Sequence, residues 1–134
     1  MNICAQNFTA NLDSKNLKYA VYDDGKDAVC VDLPYQGKIV KSIFSGDDGH
    51  YFSLYIVYEK VPADKLVDIL FVCNELNKRY KWASFYVDDD NDIMVHDDAI
   101  LDVETAADEA LEIIIRILNI ADEAKPMIMK ALYA

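Results

Sequence analysis

Residues 62–98, PADKLVDILFVCNELNKRYKWASFYVDDDNDIMVHDD, change their apolar period once, and that change decides the fold. From Pro62 and Asp64 onward, Leu66, Ile69, Leu70, Cys73, Leu76 and Tyr80 recur at three- and four-residue steps, which places them on one side of an α-helix. After Trp82 the period becomes that of strands. Ser84-Phe85-Tyr86-Val87 and Ile93-Met94-Val95-His96 flank Asp88-Asp89-Asp90-Asn91-Asp92, a turn composition, so the helix runs into a short acidic β-hairpin. Between them, Lys78-Arg79-Tyr80-Lys81 supplies cations that complement the carbonyl end of the helix dipole, each worth up to ~1 kcal/mol.

Toward the N-terminus the pattern is mostly extended. Lys18-Tyr19-Ala20-Val21-Tyr22 and Ala28-Val29-Cys30-Val31 flank Asp23-Asp24-Gly25-Lys26, and Asp24-Gly25 is a hairpin signal because Gly tolerates the positive φ of a tight turn. Pro34 ends the second strand or sits at its edge, since it cannot donate to a ladder. Residues 38–45 and 50–60 form another pair of strands around Ser45-Gly46-Asp47-Asp48-Gly49. In the longest of them, alternation puts Phe52, Leu54, Ile56 and Tyr58 on a face that packs on helices. Tyr51, Ser53, Tyr55 and Val57 fall on a more open face. Residues 1–15 place Ile3 or Cys4, Phe8 and Leu12 at four-residue steps, compatible with a short helix.

Toward the C-terminus, Thr105 with Asp108 makes a variant capping box that opens a helix through Ala107, Ala110, Leu111, Ile114, Ile117, Leu118 and Ala121. Ile113, Ile115 and Ile120 fall outside that stripe, so the helix is expected to be buried on two sides, either by the sheet plus another helix or by a second subunit. Pro126 is expected to break it, leaving Met127–Tyr133 as a short separate helix.

A chain of 134 residues without repeats or linkers is read as one domain spanning 1–134. Thirteen Lys plus Arg against 24 Asp plus Glu give a net charge of −11, which disfavours nucleic acid and anionic membrane surfaces as partners. Between Trp82 and Ile115 there is no cation and there are eleven carboxylates. Cys4, Cys30 and Cys73 are odd in number and lie in or beside apolar runs, as expected of reduced thiols in the cytoplasm. The first residues lack a basic segment followed by an apolar one, so no signal peptide is expected, and no apolar run approaches the ~20 residues of a membrane span.

Candidate chemistry is sparse. Asp88, Asp90 and Asp92 have the one-three-five spacing of a calcium loop, but Ile93 stands where such a loop requires Gly and Ala99 where it requires Glu, so no metal site is assigned. His96, Asp97 and Asp98 alternate between two faces of a strand, and a single His does not complete a ligand trio. Neither His96 nor His50 is tied to a Ser or Cys, there is no nucleophile elbow, and the four glycines build no phosphate loop. No catalytic residue and no cofactor are assigned. What remains is contact surface: Tyr51, Tyr55 and Tyr86 on strands, with Ile113 and Ile120 on the last helix, are the candidate partner-binding residues.

Cys73-Asn74-Glu75-Leu76-Asn77-Lys78-Arg79-Tyr80-Lys81-Trp82, followed by Phe85-Tyr86-Val87-Asp88, resembles the signature of the YbjN-like bacterial family. Ile117-Leu118-Asn119-Ile120-Ala121-Asp122-Glu123-Ala124-Lys125-Pro126 and the closing Met129-Lys130-Ala131-Leu132-Tyr133 do so as well. The resemblance implies an α+β fold like that of type III secretion chaperones, an antiparallel sheet of about five strands with two long helices. Its order would be helix, three strands, helix, two strands, helix, whereas the strand pattern before Pro62 counts nearer four. The family is labelled a "putative bacterial sensory transduction regulator", which carries no catalytic residues to this chain. The expected function is that of a non-enzymatic cytoplasmic protein that binds another protein, a second copy of itself included. The alternative is a small-ligand or metal-dependent enzyme using the carboxylates around Asp88–Glu104.

Overall fold

The computed structural model describes residues 1–134 and has three helices on one six-stranded antiparallel sheet. In chain order they are α1 (Ile3–Ser14), β1 (Ala20–Asp23), β2 (Val29–Tyr35), β3 (Lys38–Ser45) and β4 (Tyr51–Lys60), then α2 (Leu66–Arg79), β5 (Ser84–Val87), β6 (Asp92–Ile100) and α3 (Ala106–Tyr133). A single 3₁₀ turn, Ala63–Lys65, leads into α2. The sheet order is β1-β2-β3-β4-β6-β5, so the second hairpin inserts its longer strand against β4 and leaves β5 outermost. Four strands precede α2 and two follow it. The sheet therefore has one strand more than the five expected, the extra one being the four-residue β1 at the edge.

Alternation decides what is buried. Along β4 the even-numbered Phe52, Leu54, Ile56 and Tyr58 are buried, and in register with them lie Val40 and Phe44 on β3 and Val95 on β6. All three helices cover this side. Phe8 of α1 packs its ring, tilted by 43°, 5.1 Å from that of Phe44, the Tyr58 hydroxyl donates to the Ala121 carbonyl of α3 at 3.2 Å, and Asn77 of α2 bonds to Phe85. The result is one continuous core of 30 buried residues, to which every helix and every strand except the exposed edge strand β1 contributes, and no disulfide is present.

Several sequence expectations are corrected by what surrounds each residue. Pro34 does not end β2, which continues to Tyr35, but takes the other place expected for it, at an edge. β1 pairs only with Val29–Asp32, so Pro34 lies where β2 is itself an edge and no ladder bond is lost. Pro126 does not break α3, which runs unbroken for 28 residues; Ala124, Ile128 and Leu132 are buried on either side of it and hold the helix together across the missing N–H. Thr105 makes no side-chain cap. Glu109 instead accepts from the Asp102 N–H at 3.0 Å, and Asp102 from the Glu104 N–H at 3.0 Å. On α2, Leu70 does not join Ile69, Cys73 and Leu76 in the core but stays 49% exposed.

Residues 1–15 do form a helix, and Asn2 fixes it. Its side-chain oxygen accepts from the Ala5 N–H at 2.9 Å while its amide donates to the Phe44 carbonyl at 3.0 Å, so the residue that caps α1 also ties it to β3. Gly49, at φ +78°, lies against this amide, and any side chain there would run into it.

Candidate functional site

With every helix on one side, the other face of the sheet is left without a layer over it. The cross-strand register arranges its side chains in rows. Cys30, Ile43, Ser53 and Asp98 form one, Asp32, Lys41, Tyr55, His96 and Ser84 the next, and Val57, Met94 and Tyr86 a third. Tyr51 lies beyond the first row, between Ser45 and Ile100.

The middle of this face is polar and closely bonded. The Tyr55 ring stacks on His96 with centroids 4.6 Å apart and planes 15° from parallel, and Tyr86 meets the same imidazole edge-on at 6.3 Å. His96 Nε2 lies 2.9 Å from Asp98 Oδ1, and the Ser53 hydroxyl donates to that same oxygen at 2.6 Å. Partial burial pushes the Asp98 carboxyl up, but the bonds from Ser53 and His96 outweigh it and hold the group below the usual carboxylate range. Asp98 is thus the shared acceptor. Because Ser53 donates to Asp98, a carboxylate whose lowered pKa makes it a weak base, and not to the His96 imidazole, the trio positions rings instead of activating a nucleophile. Beside it, the Cys30 thiol donates to Asp32 at 3.1 Å; burial and that bond push it up to about 11, away from the reactive thiolate.

Around this centre the face is apolar. Tyr51 is 52% exposed and Ile100 76%, and Ile39, Val57 and Tyr86 stand open as well. Rigid, amphipathic rings beside aliphatic side chains are the composition of protein contact surfaces. Charges facing the same way are engaged, Asp32 by Lys41 at 3.2 Å and Asp98 by the Ser53 hydroxyl and the imidazole.

Of the five candidate contact residues, Tyr51, Tyr55 and Tyr86 are brought together on this face. Ile113 and Ile120 are on α3, behind the sheet. Ile120 is only 8% exposed and belongs to the core. Ile113 lines a separate groove of about 240 Å³ with Trp82, Asp97, Ile100, Leu101 and Arg116, where the guanidinium lies 6.0 Å from the indole centroid. Asp97 points to the helix side there, and partial burial pushes its carboxyl up. Ile39, Met94 and His96 belong to the open face and were not singled out as contact residues. For His96 the missing signal was the β4–β6 register that sets it on Tyr55.

The acidic hairpin tip is folded around its own backbone. Asp88 accepts from the N–H groups of Asp90 and Asp92 at 3.0 and 2.9 Å, and Lys60 reaches the Asp92 carboxylate at 3.4 Å. One oxygen each from Asp88, Asp90 and Asp92 lies within 4.8 Å of the others, yet Asp88 and Asp92 already have these partners.

A family model described as "YbjN: Putative bacterial sensory transduction regulator" matches residues 6–128. No curated protein matches the chain. Among solved structures, the chain is similar to one in the heterodimeric complex ExoU-SpcU from the type III secretion system of Pseudomonas aeruginosa. The identity is 13%, the TM-score is 0.42, and the match covers 90% of this chain and 87% of that one.

Proposed function

The chain belongs to the YbjN family, and from that premise we propose that it is a non-enzymatic protein whose work is to bind another protein on the helix-free face of the sheet, and that it does so as a homodimer. One observation carries the reading: a six-stranded sheet with all its helices on one side leaves Tyr51, Tyr55 and Tyr86 in a pre-formed surface that no part of the same chain covers. The Ser53–Asp98–His96 bonds support it, because side chains already locked in place lose little freedom when a partner arrives. Acidic groups around the rings favour a partner with apolar and cationic side chains. Three free thiols support a cytoplasmic setting, and no helix is long and apolar enough to cross a membrane.

Affinity capture from the native host, followed by mass spectrometry, tests this with three baits. Wild type and a control altered at the exposed Ile115 on α3 (I115A) are expected to retain the same polypeptide, and a Y51A/Y55A/Y86A variant to lose it. Retention of that polypeptide by all three baits would refute the assignment of the face. A divalent cation that raises the melting temperature at micromolar concentration would instead favour the metal-dependent alternative at Asp88–Asp92.

A further inference from the structure

The groove behind the sheet carries a chemistry that the tyrosine-bearing face does not use. It lies between the turn at Trp82, the end of β6 and the N-terminal half of α3, and its volume of about 240 Å³ is below the ~300 Å³ at which pockets for drug-sized molecules begin. Such a space suits one long side chain. Leu101 and Ile113 line it with apolar surface. Ile100, which lies opposite Tyr51 on β4 and is largely exposed, stands at its lip, so the groove opens beside the helix-free face.

Two of its residues are costly to hold as they are. Trp82 is the only aromatic residue with a positive φ, +76°, a strained backbone for a bulky side chain, and its indole is left 59% exposed. Asp97 is partly buried and makes no ion pair within the chain; burial pushes its carboxyl up, a shift that a cation placed beside it would reverse. Charge decides what fits. Asp97, Glu109 and Glu112 line the groove against a single cation, Arg116, so an anion is repelled. Arg116 shows how the indole is used: its guanidinium lies 6.0 Å from the ring centroid and 3.5 Å from the Glu112 carboxylate, which neutralises it. Glu109 is engaged by the Asp102 N–H at 3.0 Å, and Asp97 is left as the carboxylate to which a second cation is drawn.

We propose that this groove takes an arginine side chain of the partner polypeptide, its stem against Leu101 and Ile113, its guanidinium set against the Trp82 indole and paired with the Asp97 carboxylate. The partner reaches the groove across Ile100. The source of the arginine therefore rests on the reading that a partner lies on the helix-free face, whereas the groove's preference for a guanidinium does not.

Trp82 is the chain's only tryptophan, so its fluorescence follows the groove directly. The full chain is titrated with N-acetyl-arginine amide and with N-acetyl-citrulline amide, which has nearly the same shape and no charge. The arginine probe is expected to shift the emission saturably, and the citrulline probe to bind about tenfold more weakly or worse, the size of one lost charge-assisted contact. Asp97→Asn keeps an acceptor for the Asp98 N–H and is expected to weaken the arginine probe by about tenfold, while I115A, on the exposed side of α3, leaves it unchanged. Equal responses to the two probes, or an Asp97→Asn response equal to that of wild type, overturn the groove assignment and leave the sheet-face reading standing. As a bait, Asp97→Asn is expected to retain less of the polypeptide that wild type captures. Equal retention by the two baits, with the probes still distinguished, overturns the partner as the source of the arginine.

Discussion

Asp97 and Asp98 are adjacent in sequence and have opposite electrostatic fates, because neighbouring residues on a strand face opposite sides of the sheet. Asp98, on the open face, is held below the usual carboxylate range. Asp97, on the helix side, is held above it, chiefly by burial, with the Asp98 N–H at 3.0 Å partly offsetting the effect. The fold thus favours protonated Asp97. Its contribution is fully present below the unfolded carboxyl pKa of about 3.9 and is lost as pH rises through the higher folded value. Asp97→Asn keeps an acceptor for the Asp98 N–H and removes the charge. Urea titrations from acid to neutral pH are expected to show the variant gaining on wild type across that window and then holding a constant advantage; a difference independent of pH would contradict the assignment. None of this was legible in His96-Asp97-Asp98 beyond the alternation itself. Ser53, the donor that helps hold Asp98 ionised, is 45 residues away and reaches it only through the register of β4 and β6.

At the level of elements, local patterns found every strand and helix, and the errors came where tertiary packing overrode a local rule. The two faces of β4, the Asp24-Gly25 turn and the acidic hairpin follow from alternation and turn chemistry. The unbroken α3 does not, because a proline that would end an isolated helix is held there by buried neighbours on both sides. Pro126 itself is exposed, so Pro126→Ala restores an N–H toward the Asp122 carbonyl and relieves the ring's clash without opening a cavity. Chemical denaturation is expected to show a stabilised protein, by about 1 to 3 kcal/mol on the usual cost of an interior proline. Equal or lower stability would mean that α3 depends on a bend at this point. Ile120 illustrates the same limit: its place outside the main stripe suggested a contact surface, whereas α3 is buried on enough of its circumference to take this residue into the core.

For the molecule as a whole, a sheet covered on one side divides the cost of mutation sharply between its faces. Tyr51 and Phe52 are consecutive aromatics on β4, one 52% exposed and the other 1%. Phe52→Ala removes a ring packed 5.2 Å from Phe44 and is expected to cost about 3 to 5 kcal/mol in denaturation. Tyr51→Ala is expected to stay within about 0.5 kcal/mol of wild type while impairing partner capture. Comparable losses at both positions would mean that the open face is part of the folding core. The sheet's two rims are equally unlike. Asn77 lays its side-chain amide along β5, donating to the Phe85 carbonyl at 2.9 Å and accepting its N–H at 2.7 Å, as a neighbouring strand would, while β1 has no such cover. Endless ribbon growth requires two receptive margins on every molecule. With the Phe85 N–H and carbonyl already taken by its own asparagine, the β5 margin offers an incoming strand fewer free backbone groups than β1 does, so β1 is the margin at which a foreign strand would be added.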